Sequence, residues 1–192
     1  TYVGQFSEYA VAGYGVGTRI EQVVLLPILG INTAIISIIA QNYGANNIYR
    51  IKETYFTAIK YAFLIMITAG ALVFLSASVI TSFFSNDPEV IEYGKRYLKI
   101  SAFVLPAYPV FFLSNGCFMA LKKSENAMIS NFFRNVLNPI VVFYIAKHIG
   151  ASFETFFWIW VGINWFFSIS YFFVIIYYFK VKLHKSSAVV YP

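Results

Sequence analysis

Four stretches of this chain contain no charged residue, and each is long enough to cross a lipid bilayer. They cover residues 22–49, 61–86, 100–121 and 155–179, which are 28, 26, 22 and 25 residues long. A transmembrane helix needs about 20 predominantly apolar residues. A fifth stretch, residues 126–146, is interrupted only by Arg134. The sequence therefore predicts an all-α integral membrane protein, an antiparallel bundle of five transmembrane helices.

The composition argues against an ordinary soluble domain. Charged residues make up 11% of the chain and hydrophobic residues 59%, whereas about a quarter of a soluble domain is charged. The five helices are predicted at about 9–44, 51–84, 88–121, 124–148 and 153–181, with short polar connections. Asp87, Pro88 and Glu89 have the order of an N-cap, a first helical residue and a first-turn acid. Gly44 is predicted to end the first helix.

Basic residues in the connections predict how the chain is oriented. Eight bases lie on one side of the predicted bundle and five on the other, where acidic residues partly offset them. The side richer in Lys and Arg is predicted to be cytoplasmic, which places the C-terminus inside the cell. The basic residues behind the net charge of +6 are accordingly predicted to orient the chain in the membrane and to contact anionic lipid. No nucleic-acid partner is predicted.

Polar side chains inside the apolar stretches recur at helical spacing and predict a polar cavity. In the fourth helix Asn131, Arg134, Asn135 and Asn138 fall on one face of a regular α-helix. The candidate cavity-lining residues are Asn32, Gln41, Tyr108, Asn115, Arg134, Asn138 and Asn164. Neutral residues of this kind also join membrane helices, by hydrogen bonds of about 0.6–2 kcal/mol. Arg134 is different, because an unpaired charge at mid-membrane costs at least about 3 kcal/mol and must find a partner or water.

Four prolines also lie inside apolar stretches, at Pro27, Pro106, Pro109 and Pro139. Each removes a backbone donor, and broken helices persist in membranes where they line protein or a cavity. Such breaks suit transporters that alternate between two conformations, although a static packing kink explains any single proline equally well. Cys117 is the single cysteine of the sequence and lies inside a span, so a structural role as an apolar packing residue is preferred.

Several sequence blocks occur together in the order of a known family. The stretch AVAGYGVGTRIEQVVLLPILGINTA, then AQNYGANN and Arg50, is followed by DPEVIEYGKRYL and by LKKSENAM and FFRNVLNPIVVFYI. This succession resembles the C-terminal half of multidrug and toxic compound extrusion (MATE) transporters. Members of that family are two six-helix bundles related by pseudo-twofold symmetry, and they exchange organic cations for protons or sodium ions.

The resemblance implies that the five helices correspond to helices 8–12 of twelve. Residues 1–192 would then be a partial C-terminal transmembrane lobe, and the N-terminal lobe of the same polypeptide would be missing from this chain. It implies a multi-pass protein of the cell membrane that exports drugs or organic cations by alternating access. Its expected partners are membrane lipids, the missing lobe and a small organic cation, with H⁺ or Na⁺ as the coupling ion and no other cofactor.

One departure from the family concerns the coupling carboxylate. Relatives carry it on the first helix or on the seventh and tenth, yet the stretch that resembles the tenth, FVLPAYPVFFLSNG, contains no Asp or Glu. Tyr108 occupies about the place where some relatives have an aspartate. Glu21 is the candidate ion-coupling carboxylate in the body of a predicted helix, and pairing with Arg19 is the preferred alternative.

No catalytic motif or nucleophile–base pair is found, and an enzyme is not predicted. Two other functions stay open. The first is a lipid-linked oligosaccharide flippase of the same superfamily, which is expected to carry more cationic residues in its cavity than Arg134 alone. The second is a non-transporting membrane scaffold, or an enzyme subunit whose chemistry lies on a partner.

Overall fold

The computed structural model describes residues 2–182, and all regular elements in that range are helical. The helices are α1 (Glu8–Val24), α2 (Leu26–Gly44), α3 (Ile48–Ser82), α4 (Pro88–Ser101), α5 (Tyr108–Ala120), α6 (Ser124–Phe132), α7 (Asn138–His148) and α8 (Phe153–Tyr177). Short 3₁₀ segments cover Tyr2–Gln5 and Leu105–Ala107, and π-helical segments cover Phe133–Leu137 and Tyr178–Lys182. These elements form five helical segments: α1–α2, α3, α4–α5, α6–α7 and α8.

By length and composition, four of these segments are long and apolar enough to span a bilayer, namely Glu8–Gly44, Ile48–Ser82, Pro88–Ala120 and Phe153–Val181. The fifth, α6–α7, is divided by the π-helical segment. Large apolar side chains cover the outside of the bundle, including Leu75, which is 81% exposed, and Phe83, which is 82% exposed. A surface of this kind suits contact with lipid, as the membrane prediction requires.

Prolines account for the interruptions within the spans. The first span is interrupted at Leu25, two residues before Pro27. The third changes to 3₁₀ geometry at Leu105–Ala107, around Pro106, and Pro109 follows at the start of α5. The π-helical turn Phe133–Leu137 lies directly before Asn138 and Pro139. Each proline lacks the N–H that would continue the α-helical hydrogen bonds, so the preceding turn adopts another geometry.

Local sequence signals set the helix ends. Asp87 caps α4 by accepting hydrogen bonds from the backbone N–H groups of Glu89, at 2.9 Å, and Val90, which confirms the predicted cap. Gly44 is the last residue of α2, also as predicted. The turn that follows contains Asn46 at φ 54° and a backbone hydrogen bond of 2.8 Å from Asn47 to Asn42. This is the usual left-handed termination of an α-helix.

The tightest helix contact joins α1 to α4. Gly13 lies against the backbone of Gly94, and Gly17 lies against the aromatic ring of Tyr97. Small residues allow membrane helices to approach closely. The α2 helix packs on α5, α3 packs on α2 and α4, and α7 packs on α8. The close α1–α4 contact brings Tyr97 to the carboxylate of α1.

Candidate ion and substrate site

Glu21 lies on α1, one helical turn before the interruption at Leu25. Its carboxylate accepts a hydrogen bond of 2.5 Å from the Tyr97 hydroxyl on α4 and a second hydrogen bond from the Tyr108 hydroxyl at the start of α5. Glu21 is half-buried, whereas Tyr97 and Tyr108 are only 2% and 3% exposed. Both carboxylate oxygens therefore have a phenolic donor, and the group is held inside a membrane span.

Two backbone features place these tyrosines at the carboxylate. Gly17, one turn before Glu21, has no side chain, and a Cβ at that position would overlap the ring of Tyr97. Tyr108 begins α5 immediately after the 3₁₀ segment that contains Pro106. The turn and 3₁₀ segment of residues 102–107 lie between the two tyrosines. Their hydrogen bonds to Glu21 show that both side chains nevertheless face α1.

Arg134 approaches the same site from the π-helical turn. Its guanidinium carbon lies 4.2 Å from the ring centroid of Phe111, 4.8 Å from that of Tyr108 and 5.0 Å from that of Phe112. It also interacts electrostatically with Glu21 and Tyr108. None of the ion pairs within residues 2–182 includes Arg134. Cation–π contacts of desolvated groups contribute about 2 kcal/mol, so three aromatic rings and a nearby carboxylate stabilise this charge.

Glu21, Tyr97, Tyr108 and Arg134 are referred to below as the tyrosine–glutamate cluster.

The preferred pairing of Glu21 with Arg19 was wrong, since no ion pair joins these two side chains in the described part of the chain. Residues two apart on a helix do not face each other, and Arg19 is exposed while Glu21 turns inward.

A cavity of ≈ 170 Å³ lies beside the cluster. Tyr97 lines it together with Tyr14, Pro139, Val142, Phe156, Phe157 and Trp160. Since a water molecule takes about 30 Å³ in the liquid, the cavity has room for several. Asn138, which precedes Pro139, is 2% exposed, and no donor among the described residues reaches its Oδ1. The cavity thus adjoins Tyr97, one of the two donors to the Glu21 carboxylate.

A second polar group lies between α5, α6 and α8. The Oδ1 atom of Asn115 accepts hydrogen bonds from the hydroxyls of Ser130, at 2.8 Å, and Tyr171, at 3.2 Å. Asn115 is 7% exposed and Tyr171 8% exposed. We call Asn115, Ser130 and Tyr171 the asparagine cluster. It contains no charge, and its hydrogen bonds join three helices.

The remaining predicted cavity residues are not brought together. Asn164 is buried and donates to the carbonyl of Trp160 in its own helix, at 2.9 Å. The side chain of Asn32 lies against Gly116, and no donor in residues 2–182 reaches its Oδ1. Gln41 is exposed near the end of α2. Tyr108 and Arg134 are therefore the two predicted cavity residues that meet Glu21.

The polar face predicted for the fourth helix does not form as a continuous stripe. Asn138 is buried and Arg134 half-buried, but Asn131 and Asn135 are exposed. The π-helical turn inserts one extra residue per turn, so the spacing of a regular α-helix no longer relates residues before and after it. Tyr97 was missed altogether because its segment was interpreted only as a helix start. The spacing of Tyr97 and Tyr108 gave no usable signal, because the turn and 3₁₀ segment of residues 102–107 lie between them.

Comparisons with known proteins agree with this architecture. The family model MatE matches residues 1–145. The chain belongs to the MatE family of membrane transporters. As a member it is a multi-pass membrane protein, and the predicted family resemblance is confirmed.

Individual relatives are distant and longer. A probable multidrug resistance protein of Bacillus subtilis, YpnP, is 23% identical over 160 residues, which are 83% of this chain and 34% of that protein. An FAD transporter of Shewanella oneidensis is 26% identical over 128 residues, or 67% of this chain and 28% of that protein. A crystal structure of MATE in complex with MaL6 has the same fold, with a TM-score of 0.87 at 23% identity, over 93% of this chain and 40% of that one. The chain spans about a third of the length of these curated relatives.

Proposed function

We propose that this chain is the C-terminal lobe of a proton-coupled exporter of organic cations, and that Glu21 carries the coupling proton. The observation that supports the proposal is the arrangement of Glu21, Tyr97, Tyr108 and Arg134 inside the membrane span. Buried ionisable groups within membranes commonly mark ion pathways. The family, and a relative named as a probable multidrug resistance protein, support export as the direction of transport.

The charges of the cluster suggest how protons and substrate compete. When Glu21 is ionised, its negative charge balances Arg134, and a cationic substrate meets a site that is close to neutral. When Glu21 is protonated, the positive charge of Arg134 is uncompensated and disfavours the cation. Unit charges within one site interact by about a few kcal/mol at a low effective dielectric constant, so the ionisation of Glu21 changes the affinity for a cation by at least about tenfold. This competition makes the exchange an antiport.

The arrangement of donors favours H⁺ over Na⁺ in this proposal. Two hydroxyl groups donate to the Glu21 carboxylate, and the guanidinium group of Arg134 lies against the ring of one of these tyrosines, Tyr108. When the carboxylate takes up a proton, its own O–H group becomes a donor. The carboxyl group still accepts a hydrogen bond from a tyrosine through its other oxygen, so it stays in this network. A sodium ion would instead have to displace both donors beside a guanidinium charge. We therefore place proton exchange at Glu21. We also propose that the protein lies in the plasma membrane with its C-terminus in the cytoplasm.

In the complete transporter the missing lobe of the same polypeptide completes the substrate pathway. Alternating access requires that one lobe rocks against the other around a shared site. The interruptions at Leu25, at Leu105–Ala107 and at Phe133–Leu137 adjoin the tyrosine–glutamate cluster in sequence. A change of charge at Glu21 therefore occurs next to the parts of the spans that have irregular backbone hydrogen bonding.

The test uses the full-length protein in proteoliposomes with an imposed pH gradient. Export of a fluorescent organic cation is measured together with internal pH. Glu21→Gln is expected to lower proton-driven export at least tenfold, whereas Glu8→Gln, on the exposed first turn of the same helix, is expected to stay within twofold of the unchanged protein. Equal export by both variants would overturn the role of Glu21.

Two further arms test the rest of the proposal. Export driven by a sodium gradient at constant pH would show that the coupling ion is Na⁺. Transport of FAD without transport of the cation would show that the substrate is an anion, as the name of one relative suggests for that relative. No flux under any gradient would favour the scaffold alternative.

A further inference from the structure

An apolar groove of ≈ 660 Å³ lies on the bundle. It is formed by α3, by the break between α4 and α5, and by α8. Its lining includes Phe63, Ile67 and Phe74 on one wall and Phe103, Trp158 and Trp165 on the other. None of the cluster residues lines this groove. The groove is therefore a separate site from the cluster, although Pro106, two residues before Tyr108, lines it.

The interrupted backbone at the floor of the groove has its hydrogen-bonding groups covered. Trp165 donates from Nε1 to the carbonyl of Phe103, at 2.8 Å. The neighbouring carbonyl of Ala102 lies against Gly70, where a Cβ would be 2.9 Å from its oxygen. Backbone polar groups exposed to hydrocarbon cost several kcal/mol each. Because these carbonyls are occupied or covered, the groove presents an apolar surface that suits an acyl chain.

One end of the groove carries the positive charge of Lys99. Lys99 lies in the last turn of α4, four residues before Phe103. Its Nζ is 5.5 Å from the centroid of the Phe74 ring. The other two bases of α4 are paired, since Lys95 and Arg96 bind Glu92 at 2.8 and 3.0 Å. Lys99 takes part in none of the ion pairs found among residues 2–182.

The position of Lys99 along the membrane normal matches that of a lipid head group. It is the last charged residue before the uncharged stretch 100–121, and therefore lies at the boundary of the hydrocarbon region. From Phe74 to Phe63 the groove follows eleven residues of α3, or about 16 Å of helix. One leaflet contributes about half of the roughly 30 Å hydrocarbon core. The groove thus has the depth of a single leaflet and a cation at its polar end.

We propose that this groove binds one phospholipid. An acyl chain lies along α3 between Phe74 and Phe63, and the phosphate group of the same lipid binds the ammonium group of Lys99. Lysine is a common partner of phosphate groups, and a basic residue at the membrane surface attracts anionic lipid. The lipid would bridge α3 to α8 across the interrupted third span.

The experiment uses the full-length protein in vesicles that contain phosphatidylglycerol with a photoactivatable diazirine in the middle of one acyl chain. After illumination, cross-linked peptides are mapped by mass spectrometry. Label is expected on residues 63–75 and 158–165. Lys99→Gln is expected to reduce this label about fivefold, while Lys99→Arg retains it. Lys95→Gln, on the same helix but paired with Glu92, serves as the matched control and is expected to leave it unchanged.

Two additional measurements separate a specific site from bulk lipid. Ala71→Trp fills the groove without touching the cation and is expected to reduce the label at least as much as Lys99→Gln. A photoactivatable diacylglycerol, which lacks the phosphate, is expected to label the groove no more than the exposed face of α2. Equal labelling of the groove in Lys99→Gln and unchanged protein, or uniform labelling of all lipid-facing helices, would overturn the proposal.

Discussion

The two polar clusters of this lobe share a helix and differ in charge. Tyr108 and Asn115 are both on α5, seven residues and about 10 Å apart. The tyrosine–glutamate cluster around Tyr108 contains a carboxylate and a guanidinium group that are joined through a phenol. The asparagine cluster contains an amide and two hydroxyls. Similar polar spacing in the sequence has thus produced a charged site at one depth and a neutral helix contact at another.

The difference teaches which polar residues in a membrane helix point to function. Neutral side chains that satisfy each other between helices contribute about 0.6–2 kcal/mol each and hold the bundle together. Charged side chains are much more expensive in a membrane, and they are retained where a charge is moved or bound. We therefore expect variants of the first cluster to change transport and variants of the second to change stability.

The largest effect is expected for Arg134→Gln in the full-length protein. Without the guanidinium charge, an ionised Glu21 would stand unbalanced in the membrane, so the carboxyl group would remain protonated and no longer exchange its proton. Proton-driven export of an organic cation should fall at least tenfold in proteoliposomes. Arg134→Lys keeps the charge but loses the planar contact with Phe111 and should retain part of the rate. Arg50→Gln, which affects an exposed pair with Glu53, is the control, and equal rates for it and Arg134→Gln would contradict the prediction.

A smaller effect is expected for Gly17→Ala, which tests the α1–α4 contact that supports the first cluster. The new Cβ would overlap the Tyr97 ring, so α1 and α4 must separate, at a cost of about 1–3 kcal/mol. Export should fall severalfold and the thermal unfolding temperature should decrease. Gly15→Ala is the matched control on the same helix, because a Cβ there meets nothing within 4 Å, and it should stabilise the protein slightly. If both variants behave alike, close packing at Gly17 does not position Tyr97.

For the asparagine cluster, Tyr171→Phe should affect stability more than transport. It removes one of the two hydrogen bonds accepted by Asn115, with an expected loss of about 0.6–2 kcal/mol. The unfolding temperature should drop by a few degrees, while proton-driven export stays within twofold. Tyr177→Phe, at a position that is 62% exposed on the same helix, should change neither. A tenfold loss of export in Tyr171→Phe would mean that this cluster also belongs to the transport site.

The sequence alone predicted the bundle because membrane spans are set by local composition. The four uncharged stretches, and a fifth that contains only Arg134, give five helices. The caps at Asp87 and Gly44 depend on residues within one turn. The structure adds interruptions that follow from the same prolines. These were expected as breaks, but the particular solutions, a 3₁₀ segment around Pro106 and a π-helical turn before Asn138, depend on neighbouring helices.

The candidate site was only partly predictable. Arg134 and Tyr108 stood out because a charge and a proline-flanked tyrosine are unusual inside a span. The hydrogen bond between Tyr97 and Glu21 joins residues that are 76 positions apart. The local sequence of neither segment indicates that α1 packs on α4. Extending regular helical spacing through residues 133–137 also gave a polar face that the π-helical turn interrupts. Tertiary pairing and helix irregularity therefore limited the prediction more than residue chemistry did.

The smallest effect is expected for Tyr14→Phe, which defines the outer limit of the charged cluster. The Tyr14 ring packs edge-on against Tyr97, with centroids 5.1 Å apart, and lines the adjoining cavity. Its hydroxyl makes none of the hydrogen bonds to Glu21, which come from Tyr97 and Tyr108. Removing that hydroxyl keeps the ring contact, so export and its pH dependence should change less than twofold. Tyr97→Phe, assayed beside it, should lower export severalfold, because it removes a direct donor to the carboxylate. Losses of equal size in the two variants would instead mean that protons reach Glu21 through the cavity and the Tyr14 hydroxyl, and that the site extends to the end of the bundle where α4 and α8 begin.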